Sequence, residues 1–161
     1  MLADMLIKWV EKGSKVLLGT LIGAMATVVM LQVFVRYVLK VPLFWTEELG
    51  RYLMIWAGMI GAAVGISYGA HASIEMVVKL FPRRFQGGLG ALMYLLMLVF
   101  AVLTIVASIS LMQFLKFQIS PAMRIPMVYP YLAIPAGCMI MIILIIPRFI
   151  EMIRRIPRKN R

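Results

Sequence analysis

The twenty residues from Val16 to Val35, VLLGTLIGAMATVVMLQVFV, carry no charged side chain. About 20 apolar residues at 1.5 Å each cross a hydrocarbon core of roughly 30 Å, so this run reads as a membrane-spanning helix. Three more uncharged runs follow, Tyr52–Ala70 (19 residues), Phe85–Leu115 (31) and Ile125–Pro147 (23). The third would be ~46 Å long as a helix, and Gln86, Gly87, Gly88 and Gly90 put the start of its regular part near Leu89. Pro130 and Pro135 predict a late start or a kink in the fourth. The sequence therefore describes an all-α integral membrane protein with one four-helix domain over residues 1–161 and spans at about 16–35, 52–70, 89–115 and 126–147. Ala24 and Ala26 imitate a signal-peptide cleavage site, but the apolar run continues past them and Asp4 and Glu11 precede it, so the first segment reads as a span.

Composition agrees. Of 161 residues, 63% are hydrophobic and 14% charged, against roughly 45–50% and about 25% in soluble domains. Mean hydropathy is +0.98. A soluble enzyme is excluded. The net charge of +11 would suggest nucleic acid in a soluble protein, but the basic residues sit beside apolar runs, where anionic lipid accounts for them. One cysteine, Cys138, excludes an intrachain disulfide, a thiolate cluster or a CxxC pair, and reads as a small buried apolar residue. One histidine, His71, cannot ligate a haem from both sides and reads as an interfacial residue. No cofactor or metal is expected.

Lysine and arginine set the orientation. Twelve fall in the N-terminal segment, the second connection and the tail, and five in the first and third connections. Both termini are thus expected in the cytoplasm, with the Trp45 and Pro121 connections outside. Leu2, Met5, Leu6, Trp9 and Val10 recur at helical spacing with charges opposite, which predicts an interfacial helix over about 2–13. Ile74, Val77, Val78 and Phe81 predict a second over about 73–81, ended by Pro82. The basic tail, with Arg154, Arg155, Arg158 and Lys159, is a positive-inside signal and a candidate site for anionic lipid.

The spans hold no ionisable residue, whereas a protein that carries its own ion through the membrane usually has some. There is no nucleophile beside a base, no metal-ligand cluster and no phosphate loop. A partner or scaffold role is what remains. Ala57, Gly61, Gly65 and Gly69 repeat every four residues and form a smooth stripe on the second span, suited to close packing within this chain or against another subunit. The densest polar cluster is Trp45-Thr46-Glu47-Glu48-Leu49-Gly50-Arg51. Here Thr46 is expected to cap the second helix, Glu47 and Glu48 to complement its positive end, and Arg51 to lie within ion-pair reach of both. Trp45 suits the headgroup level. Trp45, Glu47, Glu48 and Arg51 are also candidates for contact with an outer partner.

Arg36-Tyr37, Pro42 to Glu48 with Arg51, then Gly61, Gly69, His71 and Pro82, and finally Ser120 to Met127 with Tyr131, Pro135 and Gly137 stand in a fairly specific order and spacing. Together they resemble the small four-helix, DctQ-type membrane subunit of tripartite ATP-independent periplasmic (TRAP) transporters, over most of the chain. Ala72 and Glu75 depart slightly from that pattern. The resemblance implies a bacterial inner-membrane secondary transporter in which a periplasmic substrate-binding protein delivers an organic acid to two membrane proteins, with sodium flow as the driving force. It implies that a large multispan subunit carries the substrate and sodium sites on an elevator-like moving domain, while the small subunit is stationary scaffold. It makes the Trp45–Arg51 cluster a candidate contact for the docked binding protein, and leaves the substrate open between C4-dicarboxylate, sialic acid and other organic acids. The competing readings are a membrane anchor of a redox enzyme, which would need haem ligands, and an autonomous small exporter or channel, which would need a polar path.

Overall fold

A computed structural model describes residues 2–68 and 83–155. It contains α1 (Leu2–Phe34), a π-helical turn (Val35–Leu39), α2 (Phe44–Tyr68), α3 (Arg83–Leu115), the single turn α4 (Val128–Tyr131) and α5 (Ala133–Arg155). Among the described residues four stretches are long and apolar enough to cross a membrane: Met5–Leu39, Phe44–Ile66, Gly88–Leu115 and Val128–Ile150.

The pieces read as 2–13 and 16–35 are one uninterrupted helix from Leu2 to Phe34, with Val35 opening the π-helical turn. Gly13 costs helix stability but does not end a helix by itself, and an ion pair between Lys15 Nζ and Glu11 Oε1 at 2.6 Å spans the junction. At 33 residues α1 is ~50 Å long, so part of it must project beyond a hydrocarbon core of roughly 30 Å. Its far end closes on Lys40, in the left-handed region at φ 54°, whose N–H donates to Val35 O. Pro42 follows, where a helix cannot easily continue.

The fourth span starts late, as the prolines require: the short α4 contains Pro130, and α5 begins two residues after it ends. The helix then runs through Pro147 to Arg155 instead of stopping at the end of the uncharged run. Arg148 is accommodated because its guanidinium donates to the Ile66 carbonyl of α2. The expected surface helix at 73–81, with Gly69 and His71, lies outside the described residues.

The helices pack as a row. The main contacts are α1 with α2, α2 with α5, and α5 with α3, and among the described residues α1 and α3 do not touch. A row exposes two broad faces, so no residue of the apolar window of α1 is buried and at most 28% of any other window is. What is buried lies along the seams: Ile60, Ala63 and Val64 on α2, Leu144 and the Cys138 thiol on α5, and a cluster of Ile66, Tyr94 and Ile145 with Met97, Met141 and Phe149 around it.

The α2–α5 seam depends on Gly137. A Cβ there would lie 2.7 Å from Met59 Cβ, closer than such atoms pack, and a tight 3.2 Å from the Met59 carbonyl carbon. The α2 stripe is looser, for a Cβ on Gly61 would meet Leu18 Cδ1 at 3.6 Å and one on Gly65 would meet nothing within 4 Å. Gly137→Ala is therefore expected to destabilise the chain by about 1–3 kcal/mol through overpacking. Gly65→Ala leaves the isolated chain at least as stable, since alanine is the better helix former. Thermal denaturation of the two variants in mild detergent checks both.

Candidate functional site

At one end of the row, the segment before α2 meets the loop between α3 and α4. Sequence reasoning puts the start of the second helix at Glu47, but α2 begins at Phe44. Thr46 is therefore inside the first turn and does not act as its cap: its Oγ1 donates to Leu43 O at 2.7 Å and the residue is fully buried. The earlier start follows from Pro42, which favours an extended approach up to Val41 and leaves the helix free to begin immediately after it.

Successive residues on a helix point about 100° apart, so Glu47 and Glu48 diverge. The Glu47 and Arg51 side chains are each 63% exposed and form an ion pair at 3.9 Å, worth about 0.2–0.5 kcal/mol for such an i,i+4 pair. Glu48 turns inward and is 3% exposed. Its Oε2 accepts the backbone N–H groups of Ala122 and Met123, both at 2.9 Å, and its Oε1 accepts the Tyr52 hydroxyl one turn along α2. The Tyr52 hydroxyl also lies 3.4 Å from Met127 Sδ. A buried carboxylate is tolerable only with such partners, and charge-assisted bonds are roughly twice as strong as neutral ones.

The loop that receives Glu48 is closed on itself. Ser120 N–H donates to Ile125 O at 2.9 Å, Arg124 N–H to Ser120 O at 3.1 Å and Met127 N–H to Gln118 O at 2.9 Å. The Ser120 hydroxyl, buried, accepts Ile125 N–H at 3.3 Å. Arg124 sits in the left-handed region at φ 54°, a conformation costing of order 1–3 kcal/mol in a non-glycine residue and kept only where neighbours fix it.

Between the two segments lies a cleft of about 630 Å³ whose walls include Phe44, Trp45, Glu47, Arg51, Pro121 and Arg124. Trp45 is 40% exposed beside the more exposed Phe44, an aromatic pair suited to a membrane–water boundary. Of the four residues singled out in this cluster, Trp45, Glu47 and Arg51 face the cleft, and Glu48 contributes to its floor while bonding the opposite loop. Sequence reasoning missed Tyr52, Ser120 and the two loop amides. The i,i+4 spacing of Glu48 and Tyr52 and the Ser120–Met127 motif were the available signals, but the backbone donors themselves leave no mark in residue types.

The other candidates lie elsewhere. Ala57, Gly61 and Gly65 are along α2, Arg154 and Arg155 end α5, and Arg158 and Lys159, like Gly69, are outside the described residues. Among the described residues no three His, Cys, Asp or Glu side chains gather to hold a metal. The cleft presents two guanidinium groups and one exposed carboxylate on an aromatic wall.

Comparison with known proteins gives the site a context. Residues 25–155 match the family of tripartite ATP-independent periplasmic transporters, DctQ component. A Haemophilus influenzae (strain Rd) protein that bears the name of a TRAP transporter small permease is 28% identical over 141 residues, 87% of this chain and 88% of that one. The C4-dicarboxylate TRAP transporter small permease protein DctQ of Rhodobacter capsulatus is 32% identical over 108 residues, 63% of this chain and 45% of that protein. The sialic acid TRAP transporter permease protein SiaT of Haemophilus influenzae (strain 86-028NP) is 31% identical over 80 residues, 50% of this chain but 13% of a much longer relative.

The geometry predicts that Glu48→Ala releases the loop. Hydrogen exchange at Ala122 and Met123 should quicken by at least about tenfold, since local opening then no longer breaks the carboxylate bonds. Glu47→Ala should leave both amides unchanged. Exchange mass spectrometry of the detergent-solubilised protein reads the difference.

Proposed function

The chain belongs to the DctQ family of tripartite ATP-independent periplasmic transporter components, and on that premise we propose that it is the small, stationary permease subunit of a sodium-driven transporter for an organic acid. It is a transporter subunit and not an enzyme. In this reading a large multispan subunit carries substrate and sodium, and this chain extends the scaffold against which the large one moves. The relatives' names supply the substrate class, an organic acid such as a C4-dicarboxylate or sialic acid.

One observation carries the scaffold reading: the apolar helices form an open row, and α1 and α3 do not close around a path. Row faces with uncharged spans suit lipid on one side and a packed protein neighbour on the other. Gly65, with room beside it on α2, fits a close approach by such a neighbour. The long sialic acid permease supports the same arrangement, since there the matching segment is a small part of a larger membrane protein.

In this proposal the chain spans a bacterial inner membrane four times with both termini in the cytoplasm, a reading that twelve basic residues against five support under the positive-inside rule. The charge of Arg154, Arg155, Arg158 and Lys159 then suits the anionic lipid of the cytoplasmic leaflet. The cleft with Trp45, Glu47, Arg51 and Arg124 faces the periplasm, where the substrate-binding protein docks on it.

Proteoliposomes test the function. The large subunit, this chain and the binding protein together, under an inward sodium gradient, should accumulate substrate; leaving out any of the three should reduce uptake to background. Uptake by this chain alone would make it an autonomous carrier and end the scaffold reading. Topology is checked separately by single-cysteine variants in a Cys138→Ala background. Phe117→Cys should react with an impermeant maleimide on intact spheroplasts, and Lys8→Cys only after the membrane is opened.

A further inference from the structure

Glu48, on the floor of the cleft, is its nearly inaccessible carboxylate. Both of its oxygens are engaged inside the protein, on Ala122 N–H, Met123 N–H and the Tyr52 hydroxyl, and the residue is nearly inaccessible. The amides it holds belong to the two residues immediately before Arg124. Arg124 has a left-handed backbone at φ 54° that an arginine does not adopt unless its surroundings impose it. The bonds that impose it are the turn closed by Ser120 and the carboxylate beneath it. The Arg124 side chain is exposed on the cleft wall, and among the described residues no ion pair engages its guanidinium. Across the cleft Arg51 is paired with Glu47, so the cleft has two guanidinium groups against one accessible carboxylate.

We infer that Glu48 is a positioning residue: its carboxylate fixes the 120–125 turn so that Arg124 stands in the cleft as a preset cation for an acidic group on the protein that docks at this rim. The inference rests on the docking face proposed above and assigns the work within it. Arg124 makes the contact, and Glu48 acts only through Arg124. Presetting matters because a guanidinium held in place loses less freedom on binding than one on a loose loop, and an oriented guanidinium takes a carboxylate with two hydrogen bonds.

The test is substrate uptake by the reconstituted transporter as a function of binding-protein concentration. Arg124→Ala and Glu48→Ala should each raise the half-saturating concentration about tenfold or more, while the plateau rate stays within about twofold. Glu48→Gln should stay within about threefold of the parent, because its amide oxygen can accept both N–H groups while its NH2 donates to the Tyr52 oxygen. The double variant Glu48→Ala, Arg124→Ala should be no weaker than Arg124→Ala alone. A loss in the double variant equal to the product of the two single losses would overturn the coupling, and so would an Arg124→Ala variant that behaves like the parent. If Glu48→Ala does not assemble, Ser120→Ala replaces it, for it removes the hydroxyl that holds Ile125 N–H and should show the same non-additivity with Arg124→Ala. A parent transporter whose uptake does not saturate with binding protein would instead remove the docking face itself.

Discussion

A buried carboxylate that accepts two consecutive backbone N–H groups joins the start of α2 to the loop between α3 and α4. In lipid the hydrophobic effect does not drive one helix against another, so tight packing and buried polar bonds must set helix positions. This chain uses each at a different level. Gly137 against Met59 sets the α2–α5 seam within the spans. Glu48 and Tyr52 fix the rim of the same region, and Arg148 on the Ile66 carbonyl ties α5 to the far end of α2. Three ties of different chemistry thus hold α2 along most of its length, and α1 and α3 attach to either side of the pair it forms with α5.

That central pair makes an open row possible. A closed four-helix bundle buries one stripe of every helix, whereas here α1 depends on α2 alone for most of its contacts and α3 on α5. The row leaves apolar side chains such as Met30, Phe100 and Phe114 on its faces, which would be an aggregation hazard in water and is ordinary in a bilayer. An element of this shape adds area to a neighbour without enclosing a route of its own. Rigidity along α2 is what a stationary subunit requires, and a fixed loop at the rim is what a docking surface requires, so one set of ties serves both parts of the proposed role.

Much of the fold was legible because bilayer thickness converts directly into run length. All four uncharged runs became long apolar helices, and the prolines at 130 and 135 marked the late start of the last. Boundaries were less legible where a charge is neutralised by a contact distant in sequence. The run ending at Pro147 stopped short because nothing near Arg148 announces the Ile66 carbonyl. Residues 2–13 and 16–35 were divided by a change from amphipathic to apolar pattern, which is a change of environment and not a break in the helix. At the site, the cluster from Trp45 to Arg51 stood out in composition, and its Glu47–Arg51 pair followed from spacing. The inward turn of Glu48 did not, since its main partners are backbone amides 74 and 75 residues away. The resemblance of the motifs to the DctQ family was sound, and the family match over residues 25–155 carries it.

The central claim is that this chain works as the fixed part of a larger membrane protein. It is tested most directly by expressing the tagged chain with the large multispan subunit encoded beside it, extracting both in mild detergent and weighing the product by native mass spectrometry. A stable complex of one small and one large subunit is the expected result. A chain that emerges alone, or only with copies of itself, would contradict the claim.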